Sequence, residues 1–307
     1  MSRSKLLFAF SFMLAATGIL RAQTTTGGVS FLDIISSQKE LGFTITQNYE
    51  YDFASDLQGN YNGDLASNVF TTAIDYATYW DRGFWRVGFA FEYTDWQWGG
   101  PTYLNDTYEM TLQTIFGQRF VDSDWGMFAV LGATLGAEYD GGNLAGGGSY
   151  RAGVGVTYFW GELNSFSLGV MAIGQEQREM YALPLPILNW YITDDLILRT
   201  FNGFTLSYDV SGDMSTVLDF TTEYENDLFR MKTQTLAPGL TRTPVAETES
   251  IVVAGGVTQR FENGLYIRGY LKGILYRKFE FRQNQSTYQS IKTDPALAIG
   301  IQGGWNF

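Results

Sequence analysis

The stretch from Ala296 to Phe307, ALAIGIQGGWNF, decides the reading of this chain. Every second residue back from the end gives Phe307, Trp305, Gly303, Ile301, Ile299 and Leu297. Between them stand Asn306, Gly304, Gln302, Gly300 and Ala298. Successive side chains of a strand point to opposite faces, so one face is apolar with aromatic ends and the other is small or polar. A strand with lipid on one side and a lumen on the other needs this division.

The same period of two recurs upstream. Leu41, Phe43, Ile45, Tyr49, Tyr51 and Phe53 alternate with Thr44, Thr46, Asn48, Glu50 and Asp52. Trp85, Val87, Phe89, Phe91 and Tyr93 alternate with Arg86, Gly88, Ala90, Glu92 and Thr94. Tyr108, Met110, Leu112 and Phe116 alternate with Glu109, Thr111 and Gln113. Further segments of this kind cover 70–80, 125–137, 150–160, 166–174, 187–193, 196–210, 214–225, 249–260 and 265–281. Repeated strands of about 10 residues separated by turn residues predict an all-β chain. No second run of about 18 apolar residues follows the N-terminal one, which argues against helical spans.

The connections alternate in length. Short ones lie near residues 81–83, 122–124, 161–165, 193–195, 211–213 and 262–264, and long ones cover 54–67, 97–107, 138–149, 175–186, 226–248 and 282–294. Short turns on one side and long loops on the other are the asymmetry of transmembrane barrels. Trp80, Trp85, Phe120, Trp125, Trp160, Phe166 and Trp190 flank the short turns, as an interfacial aromatic girdle does. Turns counted forward and backward agree only if one extra crossing lies between 187 and 213. Asn202-Gly203, a strong hairpin signal, supplies it. The expectation is a closed antiparallel barrel of 14 strands over 41–307. A 12-stranded barrel with that region folded otherwise is the alternative.

The N-terminus reads as an export signal: Arg3 and Lys5, the apolar run Leu6–Leu20, and cleavage after Ala22 in Leu20-Arg21-Ala22. Removing Arg3, Lys5 and Arg21 leaves 17 basic residues against 32 acidic, a net charge of −15 that repels nucleic acid. Residues 23–40 form a short segment, too short for a plug domain. The chain has no His and no Cys, so imidazole or thiolate metal sites and His-based catalysis are excluded. We expect no enzyme activity and no cofactor. Glu138, Asp140 and Asn143 read as a solvated acidic loop rather than a Ca²⁺ site, and Gly146-Gly147-Gly148 lacks the context of a phosphate cradle.

What remains is the lumen. Alternation points Glu50, Asp75, Arg86, Glu92, Glu109, Arg151, Asp219, Glu223, Arg268 and Lys272 inward. An Arg or Lys facing lipid at mid-depth costs roughly 2–4 kcal/mol, so Arg86, Arg268 and Lys272 must face the interior. Eight of these, Arg86, Glu92, Glu109, Arg151, Asp219, Glu223, Arg268 and Lys272, are the candidate pore lining. Inward Gly88, Gly132, Gly136, Gly153, Gly155, Ala298, Gly300 and Gly304 leave space or allow close packing.

The ending with Ile299, Ile301, Trp305 and Phe307 resembles the C-terminal sorting signal of bacterial outer-membrane barrels. The whole mature chain resembles such a barrel, and Leu183-Pro184-Leu185-Pro186-Ile187-Leu188-Asn189-Trp190 is similar to a porin-like group of no assigned function. The resemblance implies outer-membrane lipid and the barrel assembly machinery as partners. The leading expectation is a passive channel for small hydrophilic solutes. The alternatives are a non-conducting surface barrel using the 226–248 loop with Pro238, Gly239 and Pro244, and a transporter of hydrophobic compounds, which would need an apolar lumen.

Overall fold

The structure is a computed structural model. It describes residues 42–307 except 140–143, 145–146, 162, 177, 202 and 238–239, and it describes no side chains for 235–241. The expected export signal, its cleavage after Ala22 and the 23–40 segment lie outside the described residues. So do Leu41, Asp140, Asn143, Gly146, Asn202, Pro238 and Gly239.

The strands are β1 Gly42–Asp56, β2 Asp64–Trp80, β3 Gly83–Trp98, β4 Thr107–Arg119, β5 Trp125–Glu138 and β6 Gly148–Trp160. Then come β7 Asn164–Gln175, β8 Tyr181–Tyr191, β9 Leu196–Thr200, β10 Gly203–Asp209 and β11 Thr216–Arg230. β12 Gln234–Ala237 and β13 Leu240–Arg242 form a small hairpin, followed by β14 Val245–Arg260, β15 Leu265–Gln283, β16 Ser286–Thr293 and β17 Ala296–Asn306. β1 to β11 pair in sequence, β11 pairs with β14, β14 with β15, β15 with β17, and β17 returns to β1. The ring closes with 14 antiparallel strands. The expected division of 196–210 into two strands is real, since β9 and β10 pair antiparallel, and the 12-strand alternative falls.

The alternation read from the sequence sorts outside from inside. Ile45, Phe70, Trp85, Phe89, Leu112, Leu131, Val154, Leu168, Phe220, Leu271, Ile299 and Ile301 are exposed on the outer face. Trp305 and Phe307 stack there at 5.3 Å, beside the short-turn end. A belt of exposed apolar side chains around a closed sheet has lipid as its matching solvent.

Several strands run further toward the long-loop end than their sequence pattern indicated. β8 starts at Tyr181, inside a stretch read as loop, and carries Pro184 and Pro186. Leu188 donates its N–H to the Thr200 side chain on β9, and Tyr191 donates its N–H to Asn164 on β7. By strand alternation the nitrogens of Pro184 and Pro186 face the same side as that of Leu188. β9 is only five residues long and pairs with β8 only over Leu188–Tyr191. On the β9 side no described strand stands opposite the prolines, so their missing donors leave nothing unsatisfied there.

The short β9–β10 hairpin has a second consequence. β10 pairs with β11 only as far as Gly203↔Glu223. Beyond that point β11 leans across the interior and makes a parallel bridge, Arg230↔Ala137, to the top of β5. Among the described residues no backbone pairing joins Tyr181–Ile187 of β8 to the upper half of β11, which leaves a window in the hydrogen-bonded wall. Its upper rim is tied by Gln175 to Asn226 (3.0 Å), Arg230 to Glu176 (2.5 Å) and Arg178 to Glu247 (2.7 Å).

A bulge at Leu275 reshapes β15. Ile251 pairs with Tyr276 but Val252 pairs with Ile274, so one extra residue enters β15. The facing of every later side chain flips. Arg277, Phe279 and Phe281 therefore turn inward. Phe279 and Phe281 join Leu57, Leu65, Leu104, Phe229, Met231 and Ile291 in an apolar cluster across the long-loop mouth, with Trp96 and Trp98 each 5.4 Å from Phe279. The mouth is capped by a dry core.

Candidate functional site: a lumen divided into wet and dry halves

Below the cap the interior has two halves. On the β4–β8 side it is packed with Ile115, Phe128, Val130, Met171, Ile173, Leu185 and Ile187, with Leu183, Tyr181 and Phe201 against them. Gly155 and Gly169 let the Phe128 ring lie across neighbouring strands, since a Cβ at either would come within 2.8 Å of it. On the other side a cavity of about 910 Å³ runs from the short-turn mouth up to Trp96 and Phe229.

The cavity is polar and acidic. Ten acidic and six basic side chains line it. Asp213, in the turn at its mouth, is held ionised at about 2 by hydrogen bonds from Ser211 and Ser215. Higher up, acids and bases pair across strands. Arg86 meets Asp75 at 2.7 Å, Arg268 meets Asp219 at 2.5 Å, and Arg277 pairs with Asp52. Lys272 lies between Glu50 (2.9 Å) and Glu225 (3.0 Å).

β17 makes this last arrangement possible. It turns Ala296, Ala298, Gly300, Gln302, Gly304 and Asn306 inward, and beside Lys272 and Tyr270 these are Ala298 and Gly300, so side chains of β15 reach over it to β1. The Tyr266 hydroxyl lies 2.8 Å from Thr46 Oγ1, and the Tyr270 hydroxyl 2.8 Å from Glu50 Oε2. A Cβ at Gly300 would collide with the Tyr270 ring. The small residues on this face are thus slots for neighbouring side chains rather than open space.

Of the eight candidate lining residues, Arg86, Glu92, Asp219, Glu223, Arg268 and Lys272 line the cavity, as do Glu50 and Asp75. Glu109 and Arg151 face inward but do not line it. Both sit on the packed side, where the Arg151 guanidinium donates to Gln113 Oε1 at 2.8 Å. Sequence reasoning did not name Asp52, Arg199, Glu225, Asp227 and Arg277 among the lining candidates. The odd parity of β11 continues past Glu223 to 225 and 227, but the stretch beginning at 226 reads as loop. Arg277 is hidden by the bulge. Glu138, weighed as a Ca²⁺ ligand, accepts hydrogen bonds from the N–H groups of Asn105 and Lys232. Among the described residues no group of three acidic side chains is placed to hold a metal ion.

No family model matches the chain, and no curated protein matches it. Solved structures do. The COG4313 outer membrane channel from Pseudomonas putida F1 superposes with a TM-score of 0.52 at 13% identity, over 91% of this chain and all of that one. The P. putida toluene transporter TodX gives 0.41 at 8% identity, over 88% of this chain and 91% of that one. The outer membrane protease OmpT of Escherichia coli gives 0.32 at 11% identity, over 88% and 98%. The first of these establishes a shared fold, that of outer-membrane β-barrels.

Proposed function

Starting from a closed 14-stranded barrel of outer-membrane type, we propose that this protein resides in the bacterial outer membrane, reached through its export signal and C-terminal strand, and passes small hydrophilic solutes through its wet half. The observation that carries this reading is the charged cavity reaching from the short-turn mouth to the cap. A passage lined by fixed charges sorts solutes by sign. With acids in excess, this one favours cations. In planar bilayers under a KCl gradient the reversal potential should lie on the cation side, and Arg268→Glu should move it further that way. Absence of stepwise current in every salt, from the wild type and from a cap-truncated variant alike, would end the reading.

A second reading is favoured by the window. The interior behind it is packed with apolar side chains, Leu183, Leu185, Ile187, Met171 and Phe201. A hydrophobic compound dissolved in the bilayer would enter there without crossing the charged lumen. Naphthalene fluorescence in nanodiscs should then show saturable binding that Leu183→Trp weakens about tenfold, a loss of roughly 1.4 kcal/mol. Non-saturable partitioning, equal to that of empty discs, discards this route.

A further inference from the structure

Among the described residues, the gap between β8 and the upper half of β11 is spanned by side chains where the rest of the ring is joined by backbone. Pro184 and Pro186 have no N–H to give on the β9 side of β8, so a continuous ladder cannot form along that edge. The register sets Pro184 beside Val170 of β7, and Val170 beside Val154 of β6. Both valines are more than half exposed on the outer face, so the gap lies within the apolar belt. The inward side chains along this edge include Leu185 and Ile187, which are 0% and 2% exposed in the dry half.

At the top of the gap one carboxylate gathers several elements. The Glu247 side chain of β14 is fully buried. It accepts a hydrogen bond from Asn226 of β11 (2.8 Å) and meets Arg282 of β15 (3.0 Å). From the other side of the gap, Arg178 of the β7–β8 connection reaches it at 2.7 Å. Gln175 at the end of β7 donates to Asn226 (3.0 Å), and Glu176 pairs with Arg230 of β11 (2.5 Å). A buried charge pair is screened little by salt, so these contacts hold at ordinary ionic strength. β11 and β14 stay laddered to each other up to Arg230↔Val245 and so form one two-stranded leaf. The bridge from that leaf to β5 is a single parallel pair, Arg230↔Ala137.

We propose that the cluster around Glu247 is a latch. It holds the β11–β14 leaf against the β7–β8 connection, and its release lets the two edges part and brings Leu185 and Ile187 into contact with lipid. A region joined by few contacts opens at a lower free energy than a laddered one. Acyl chains are as apolar as the side chains uncovered, so the opened edge meets a matching solvent. The latch would regulate the hydrophobic route of the second reading, and it rests on that reading only for what passes through.

The chain has no Cys, so single introduced thiols can report on opening. In lipid vesicles, Leu185→Cys is labelled with N-phenylmaleimide alongside Ile274→Cys, a 0% exposed control on the β14–β15 side of the interior. Arg178→Ala should speed labelling of the first thiol at least tenfold and leave the control unchanged. Glu247→Gln should do the same and serves if Arg178→Ala does not assemble. Ile187→Cys replaces Leu185→Cys on the same ground. The latch is overturned if the first thiol reacts at the wild-type rate in the assembled variants. An equal rise at the control also overturns it, since that marks general loosening. Labelling needs no bound hydrocarbon. Faster labelling without saturable naphthalene binding would keep the latch and discard the hydrophobic route. Saturable naphthalene binding with labelling indifferent to both variants would do the reverse.

Discussion

Truncating Phe279 and Phe281 to alanine should raise the mean current through the barrel more than tenfold. The two rings are 0% and 1% exposed at the centre of the cap, with Trp96 and Trp98 against Phe279 and with Leu57, Leu104 and Ile291 around them. Removing one buried Phe side chain costs about 3–5 kcal/mol of packing. Each 1.4 kcal/mol is a factor of ten in an equilibrium. If cap opening limits conduction, even part of that loss moves the closed-to-open equilibrium past tenfold. The cap lies beyond the rows that close the ring, since β17 pairs with β15 only from Leu265 to Ile274. The variant should therefore keep its strand content and its heat-dependent mobility on gels. Unchanged single-channel amplitude and open time, in a variant confirmed to be folded, would show that the cap does not control the passage.

The largest loss of stability should come from Lys272→Met. The Lys272 side chain is 7% exposed and its ammonium neutralises both Glu50 and Glu225. Removing one partner of a buried pair costs about 3–5 kcal/mol, because an uncompensated charge is left behind. Here two carboxylates, Glu50 of β1 and Glu225 of β11, are left facing each other where both had met the Lys272 ammonium. Neutralising those carboxylates as well, in the triple variant with Glu50→Gln and Glu225→Gln, should restore most of the loss. Coupled residues give this non-additive result in a mutant cycle. Urea unfolding in lipid vesicles measures it. If Lys272→Met alone matches the wild-type midpoint, or if the triple variant is no better than the single one, the trio does not hold the lumen together.

The charge-carrying lumen was partly legible in the amino-acid sequence. Arg86, Arg268 and Lys272 stand between apolar neighbours at polar-face positions, and the cost of turning them to lipid fixes their direction. Their partners were not legible. Asp75 meets Arg86 from the next strand, but Glu50 reaches Lys272 across an intervening one. That second pairing depends on how small the inward residues of β17 are and on the closure of β17 against β1. Neither Glu50 nor Lys272 carries that information alone.

The linear sequence determined the class of fold and the faces of the strands, and through Asn202-Gly203 it pointed to 14 of them with 12 left open. These are local properties: a period of two places each side chain on one face whatever the neighbouring strand does. The tertiary structure alone decided where that parity breaks and what the interior contains. Extending the pattern of Arg268 and Lys272 would turn Phe279 and Phe281 outward, and the extra residue at Leu275 turns them in to close the mouth. The short β9–β10 hairpin leaves the upper half of β11 without a neighbour on its β10 side, so it bridges to β5 and helps separate a dry half from a wet one. A bulge and a change of partner answer to what stands opposite a strand, and opposition is a property of the closed ring rather than of any segment in it.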